Sequence, residues 1–372
     1  MFEDVQQSLL EGIDGEETAR ILFSGGEDSR AISGLVPKDF DCVPTTILDS
    51  RNLEYRLANK AAISQGKNLE WVQRPEGHYK QRIMDRIDLN GPGWNFLQTH
   101  IYGEVVEPFL NTGLIIGGYM ADSLFKTDVL SNFKRNRAKK SSLLPPDPDK
   151  IRGFRTQRVK IAEEFFEDDL VAEVQKRRLR HHQKIKEFRP DTAGNWHWIW
   201  PLSNMYHYPH YLTNLRLGPK VIEPFLWSRS YRLAAQMPDV YRVNRDAFYN
   251  AFVGAMGKSA WVTTSGGFIP KLKSSRLNYI YKALLYRKRM YYKKKNNYAV
   301  NDGPWTKDLE GWHFKKVSNY LDEAQNEKFK SLLNIILKNK DQDFIGSKKV
   351  PRGLKTRSLA LGFSPDNYFN NA

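Results

Sequence analysis

Apolar residues recur at helical spacing near the N-terminus, where Val5, Leu9, Leu10 and Ile13 share one side of the polar stretch 4–17 and predict a helix. The period then changes. Ala19–Phe23 reads as a short buried strand that Ser24-Gly25-Gly26 stops, and Glu27–Leu35 resumes as a helix. Val43–Leu48 predicts a second strand, Leu53–Ser64 a helix, and Leu69–Gln73 a third strand. A helix over Leu97–Leu110 then leads through Asn111–Gly113 to a fourth strand, Leu114–Ile116. Strands alternating with helices predict an α/β fold, a parallel twisted sheet with helices on both faces. Helical patterns over Val159–Phe188, Leu226–Met237 and Arg245–Met256 predict a largely helical C-terminal part. Between the two, Lys134–Gly153 is charged, proline-rich and poor in core residues, and reads as a mobile loop or junction. The expected division is an α/β region (1–133), a junction (134–155), a helical part (156–270) and a basic extension (271–372).

Composition narrows the classes. With 372 residues, 40% of them hydrophobic, the chain can bury a substantial core as one large or two ordinary domains. No apolar run is long enough to span a bilayer, and the acidic, polar N-terminus does not resemble a signal peptide, so no membrane is expected. Cys42 is the one cysteine, which excludes an internal disulfide, a cysteine-based metal site and two-thiol sulfur transfer, and suits a cytoplasmic location. The formal charge of +16 admits a nucleic acid, an anionic nucleotide or an acidic surface as partner. The basic run Arg287–Lys295 reads as a solvated helix face before a nucleic-acid grip, and the ring-rich Trp196–Tyr211 as core or pocket lining. His100, His197, His207 and His210 show no metal-ligand spacing.

The segment from Ile21 to Arg30 carries the chemistry. Leu22 ends the strand; Gly25 and Gly26 present no Cβ and let the backbone approach a polyanion. The helix that follows offers free N–H groups and the positive end of its dipole, and Ser24 and Ser29 add hydroxyls. Asp28 would repel phosphate unless Mg²⁺ lay between them, which points to a metal–pyrophosphate site. The Lys of a Walker loop is missing, which disfavours a GTPase or kinase-like reading.

This SGGEDS stretch resembles the SGGxDS signature of PP-loop ATP pyrophosphatases, and the chain resembles the synthetase domain of asparagine synthetases from about residue 5 to about residue 270. The segment Leu114–Phe125 resembles that family's glycine-rich strand end. The match would set Gly117 and Gly118 against the nucleotide and make Asp122 the second carboxylate on Mg²⁺ beside Asp28. Val221–Met237 resembles the family's RxPFLD segment, with Trp227 in place of the Asp. Arg245 stands where the family has a charge-stabilising Lys, and Trp261–Phe268 resembles the loop after it, with Lys258 and Lys271 nearby. Tyr119 replaces a Glu of asparagine synthetases and is similar to the Tyr of β-lactam synthetases, where it would act as a base; His207 and His210 come from the region that could supply its partner.

The resemblance implies an adenine nucleotide alpha hydrolase-like fold. It also implies an AMP-forming amide ligase that uses ATP and Mg²⁺ on a small carboxylate with ammonia or an amine. Ile47 and Leu48, at the second strand, would hold the adenine through their backbone. Residue 2 is Phe2 and the loop begins at Ser24, so the expectation is a synthetase part without a preceding glutaminase domain, for which glutamine-derived ammonia would need a separate glutaminase subunit. A tRNA-modifying PP-loop enzyme and a nucleotide-binding protein without turnover are the rivals.

Overall fold

The computed structural model describes residues 1–48, 51–73, 113–126, 164–190, 192–196, 220–242, 245–273, 275–296 and 331. The chain forms two compact units, one drawn from Met1–Arg74, Ile101–Arg152 and Leu217–Thr306, the other from Pro75–His100, Gly153–Arg216 and Lys307–Ala372. The expectations over Leu97–Leu110 and Lys134–Gly153, and those for His100, His197, His207 and His210, lie outside the described residues.

The first unit opens with α1 (Phe2–Ile13), whose buried side carries Val5, Leu9 and Ile13. It ends earlier than the periodicity suggests, because Gly15 takes a left-handed φ of 76° just beyond it. Then come β1 (Thr18–Leu22), α2 (Glu27–Leu35), β2 (Asp41–Leu48), α3 (Leu53–Ser64) and β3 (Glu70–Gln73). Asn52 starts α3 by accepting from the backbone N–H groups of Glu54 (2.9 Å) and Tyr55 (3.2 Å). After β4 (Leu114–Ile116) and the short α4 (Ala121–Leu124), the unit adds β5 (Lys220–Ile222), a strand the sequence reading did not anticipate. Its three residues are too few to display a period.

All five strands are parallel, in the order β3-β2-β1-β4-β5. The α/β fold expected from the sequence is therefore present. The path runs outward from β1 through β2 to β3 and returns to the other side of β1 with β4, so the order reverses between β1 and β4. In open α/β sheets the crevice at such a reversal, outside the carboxyl ends of the strands, is where ligands sit. Pro44 fits inside β2 because β3 joins only from Thr45, so at Pro44 the strand is still an edge. Ile47, Val72, Ile115 and Val221 form a buried cluster across β2, β3, β4 and β5, with Leu22 packed on it.

The unit's remaining described elements are helical. After α5 (Asp168–Phe188) and α6 (Ala193–Trp196), which lie in the second unit, the first continues with α7 (Ser228–Gln236), α8 (Asp246–Phe252) and α9 (Arg276–Asn296), with 3₁₀ turns at Asp239–Tyr241, Gly257–Trp261 and Pro270–Leu272. Helix α8 begins after Arg245 rather than at it, since Arg245 has φ 63° and cannot be a helix interior residue. Phe225 meets Phe125 (5.7 Å between centroids) and Phe252 (5.6 Å), and Phe248 meets Phe252 at 5.0 Å, a ring cluster joining α4, α8 and the residues after β5.

In the second unit, α5 (Asp168–Phe188) starts only after an extended Glu167 (ψ 141°), which interrupts the longer helix expected over Val159–Phe188. Val171 and Ile185 are its buried residues, while Lys176, Arg177, Arg180, Lys184 and Lys186 are exposed. The short α6 (Ala193–Trp196) ends on a fully buried Trp196 with the Arg189 guanidinium 5.1 Å from its ring centroid. Among the described residues no helix is long and apolar enough to cross a membrane.

Candidate functional site

Strand β1 and helix α2 are joined by a turn whose shape depends on Gly25. Its φ is 67°, and a Cβ there would lie 2.6 Å from the Cα of Ala58. The glycine is thus demanded by the approach of α3 as well as by the turn. The Gly26 N–H donates to Ser24 Oγ (3.2 Å) and the Ser29 hydroxyl donates to the Gly26 carbonyl (3.2 Å). Ser24 itself is exposed, and α2 begins at Gly26 with no side-chain cap. The N–H groups of its first turn have no partners within the helix, which leaves a positive helix end facing the exposed side of the turn.

The carboxyl end of β4 supplies the other wall. Gly118 lies so close to α2 that a Cβ would stand 3.1 Å from Asp28 Cβ, so the two glycine segments touch at the reversal point. Gly117 lies flat against the carboxyl group of Glu223, where a Cβ would fall 2.0 Å from Oε1. Both glycines expected to face a nucleotide therefore have packing reasons of their own. The Tyr119 N–H donates to Glu223 Oε2 (2.7 Å), and Oε1 has no hydrogen-bond partner among the described residues. Burial raises the Glu223 carboxyl well above its ordinary 4.5, because the charged form would lose its water. Met120 follows with φ 70°, a left-handed residue that turns the chain into α4.

Five charged side chains meet where these walls join. The Lys126 ammonium is in contact with Asp28, lies 2.8 Å from Asp122 Oδ1 and 3.5 Å from Glu27 Oε2, and faces the Phe248 ring at 4.5 Å. Arg245 donates to both oxygens of Glu27 at 2.9 Å, and its guanidinium lies 5.3 Å from the Phe268 ring centroid. The Tyr249 hydroxyl donates to Glu27 Oε1 at 2.7 Å. Burial alone would raise Glu27, but Lys126, Arg245 and Tyr249 together hold it below 4.5. Burial also lowers the affinity of Lys126 for its proton, yet Asp28, Asp122 and Glu27 outweigh this and keep it charged. Asp28 is pushed up, by burial first and then by its acidic neighbours against the pull of Lys126, while Lys126 and Arg245 overcome burial to hold Asp122 down. The side chain of Asp122 is 51% exposed, against 3% for Lys126, so the cluster opens to solvent at Asp122.

No family model matches the chain, and no curated protein matches it. The arrangement is therefore read from its own chemistry. Two aspartates near enough to share one ammonium suit Mg²⁺, a hard ion that takes one or two carboxylates and completes its shell with phosphate and water oxygens. Among the described residues no group of three or more His, Cys, Asp or Glu could hold a metal ion alone. Asp28 and Asp122 are by themselves a donor pair of the kind Mg²⁺ takes together with phosphate oxygens.

The other expected residues fall around this centre. Ile47 and Leu48 end β2 beyond the last pairing with β1, Leu22 with Thr45, so they overhang the end of β1; the Leu48 carbonyl accepts from the Trp71 indole at 3.3 Å. On their other side β3 pairs with both. Trp227 is half-buried and precedes α7, and Lys258 and Lys271 are exposed. The loop Trp261–Phe268 is tied to α2 by the fully buried Arg30, which donates to the carbonyls of Ser259 (2.9 Å), Val262 and Thr263 (3.1 Å).

Sequence reasoning missed Glu27, Lys126, Tyr249 and Glu223. Lys126 left a trace, since it follows Asp122 at the i,i+4 spacing of a helical ion pair. The remaining three owe their place to contacts more than a hundred residues apart along the chain, Glu27–Tyr249 and Tyr119–Glu223.

Proposed function

We propose that the chain is an ATP-dependent, AMP-forming amide ligase, asparagine synthetase-like, that adenylates a small carboxylate and transfers the acyl group to ammonia or an amine. One observation carries the reading: the turn Ser24–Ser29 and Asp122 meet at the order reversal of a parallel sheet, with both aspartates on one ammonium. The first turn of α2 and the Ser24 hydroxyl would receive the β and γ phosphates, with the overhang at Ile47 and Leu48 as the place for adenine. Asp28 and Asp122 would hold Mg²⁺, which when bound neutralises pyrophosphate charge.

In the first step a substrate carboxylate oxygen bonds to the α-phosphorus, the bond to the β-phosphate bridging oxygen breaks, and pyrophosphate leaves with that electron pair. Lys126 and Arg245 are the cations that would offset this charge. The nitrogen nucleophile then attacks the acyl carbon, AMP departs with the carbon–oxygen bonding electrons, and the nitrogen gives up a proton. Tyr119, in the turn after β4, is the candidate base that the reading from sequence offers for this proton.

Arg245 supports a second reading. Its guanidinium is engaged by Glu27, as expected of a structural ion pair in a protein that holds nucleotide without turnover. Exchange of labelled pyrophosphate into ATP, screened across carboxylic acids, separates the two. The ligase predicts acid-dependent exchange, abolished in Asp28→Ala; nucleotide binding with no exchange for any acid would refute it.

A further inference from the structure

The place between Asp28 and Asp122 is filled by the protein's own cation. Lys126 is almost completely enclosed, with three carboxylates and the Phe248 ring around its ammonium. A buried ammonium is expensive to desolvate, and well-packed apolar side chains stabilise a core at least as well, so stability alone does not account for it. With all three carboxylates ionised, Glu27, Asp28 and Asp122 against Lys126 and Arg245 leave one negative charge in excess. Without Lys126 the excess would be two, beside an opening at the half-exposed Asp122, where two carboxylates and solvent water are a donor set a hard divalent ion accepts.

We propose that the Lys126 ammonium is the resident counter-ion of the Asp28–Asp122 pair and gives way only when a nucleoside triphosphate brings the divalent ion with it. The proposal rests on the reading of this site as a metal–triphosphate cradle. A bare ion must displace an ammonium whose other neighbour, Glu27 at 3.5 Å, is already held by Arg245 and Tyr249. A triphosphate supplies those anions, and the four-carbon lysine stem lets the ammonium swing from carboxylate to phosphate oxygen while the backbone stays in place. Arg242 steadies that backbone: its Nε donates to the Leu124 carbonyl at 2.7 Å, two residues before Lys126.

Mn²⁺ binding followed by electron paramagnetic resonance tests this on the full chain. The wild type should bind Mn²⁺ weakly alone and tightly with α,β-methylene-ATP. Lys126→Met should bind Mn²⁺ without nucleotide about tenfold more tightly than the wild type or better, and Mn²⁺ should raise its melting temperature but not that of the wild type. Lys126→Arg, which keeps the charge, should refuse Mn²⁺ alone. Tight Mn²⁺ binding by the nucleotide-free wild type, or a folded Lys126→Met with no gain, overturns the proposal and leaves the cradle standing. Absence of Mn²⁺ binding even with the analogue overturns the cradle as well. Should Lys126→Met fail to fold, Lys126→Gln, which also removes the charge, takes its place, with the same gain expected and its absence overturning the proposal.

Discussion

Glu223 and Gly117 are a lock and its fit. The carboxyl group lies on the one residue without a Cβ, and its second oxygen holds the Tyr119 N–H, so the turn after β4 is shaped by a side chain from β5's end. Because burial raises the Glu223 pKa, the folded chain keeps a proton that the unfolded chain loses above about 4.5. The stabilisation from that retained proton is complete below the ordinary value and is lost as pH climbs toward the raised one. Glu223→Gln keeps the shape and removes the titration. Its melting temperature should stay near that of the wild type around pH 4.5 and move progressively above it toward pH 8. Parallel melting curves across that range would refute the protonated state. Nothing in the apolar pattern around Val221 and Ile222 distinguishes this Glu from an exposed one; its burial follows from which strand lies beside β4.

At the scale of elements, α2, α3 and strands β1 to β4 were legible from alternating runs and glycine stops, because neighbouring residues generate those signals. The missed β5 and the delayed start of α8 were not, since a three-residue strand has no period and Arg245's left-handed φ is imposed by contacts. Arg242 is the joint among the later elements. It is fully buried and donates to the carbonyls of Leu124, Met237 and Ala234 and to Asp239 Oδ1 (2.7 Å). Arg242→Met would strand Asp239 and the carbonyls at the end of α7, at a cost of about 3–5 kcal/mol. Urea unfolding measures this; a loss under about 1 kcal/mol would show that solvent replaces those contacts.

For the whole molecule, the charge of +16 makes weak attraction to any polyanion unavoidable, and the exposed cations of α5 are one source of it. Such binding releases counter-ions and fades steeply with salt, whereas nucleotide held by the α2 terminus and a chelated metal should depend on salt far less. Titrations with tRNA and with ATP–Mg²⁺ at rising ionic strength should therefore diverge, tRNA affinity falling about a hundredfold or more between 50 and 200 mM. Salt-resistant tRNA binding would favour the tRNA-modifying rival. The linear chain on its own determined the parallel α/β plan and the glycine turn that leads into Asp28, because periodicity and turn chemistry are properties of adjacent residues, whereas Asp122 was named only through the family resemblance of Leu114–Phe125. Only tertiary structure decided that Lys126 stands between those aspartates, that Glu27 gathers Arg245 and Tyr249, and that Glu223 closes on Gly117. Those partners lie far apart in sequence except for Lys126 and Asp122, and strand order, which no local pattern encodes, brings them together.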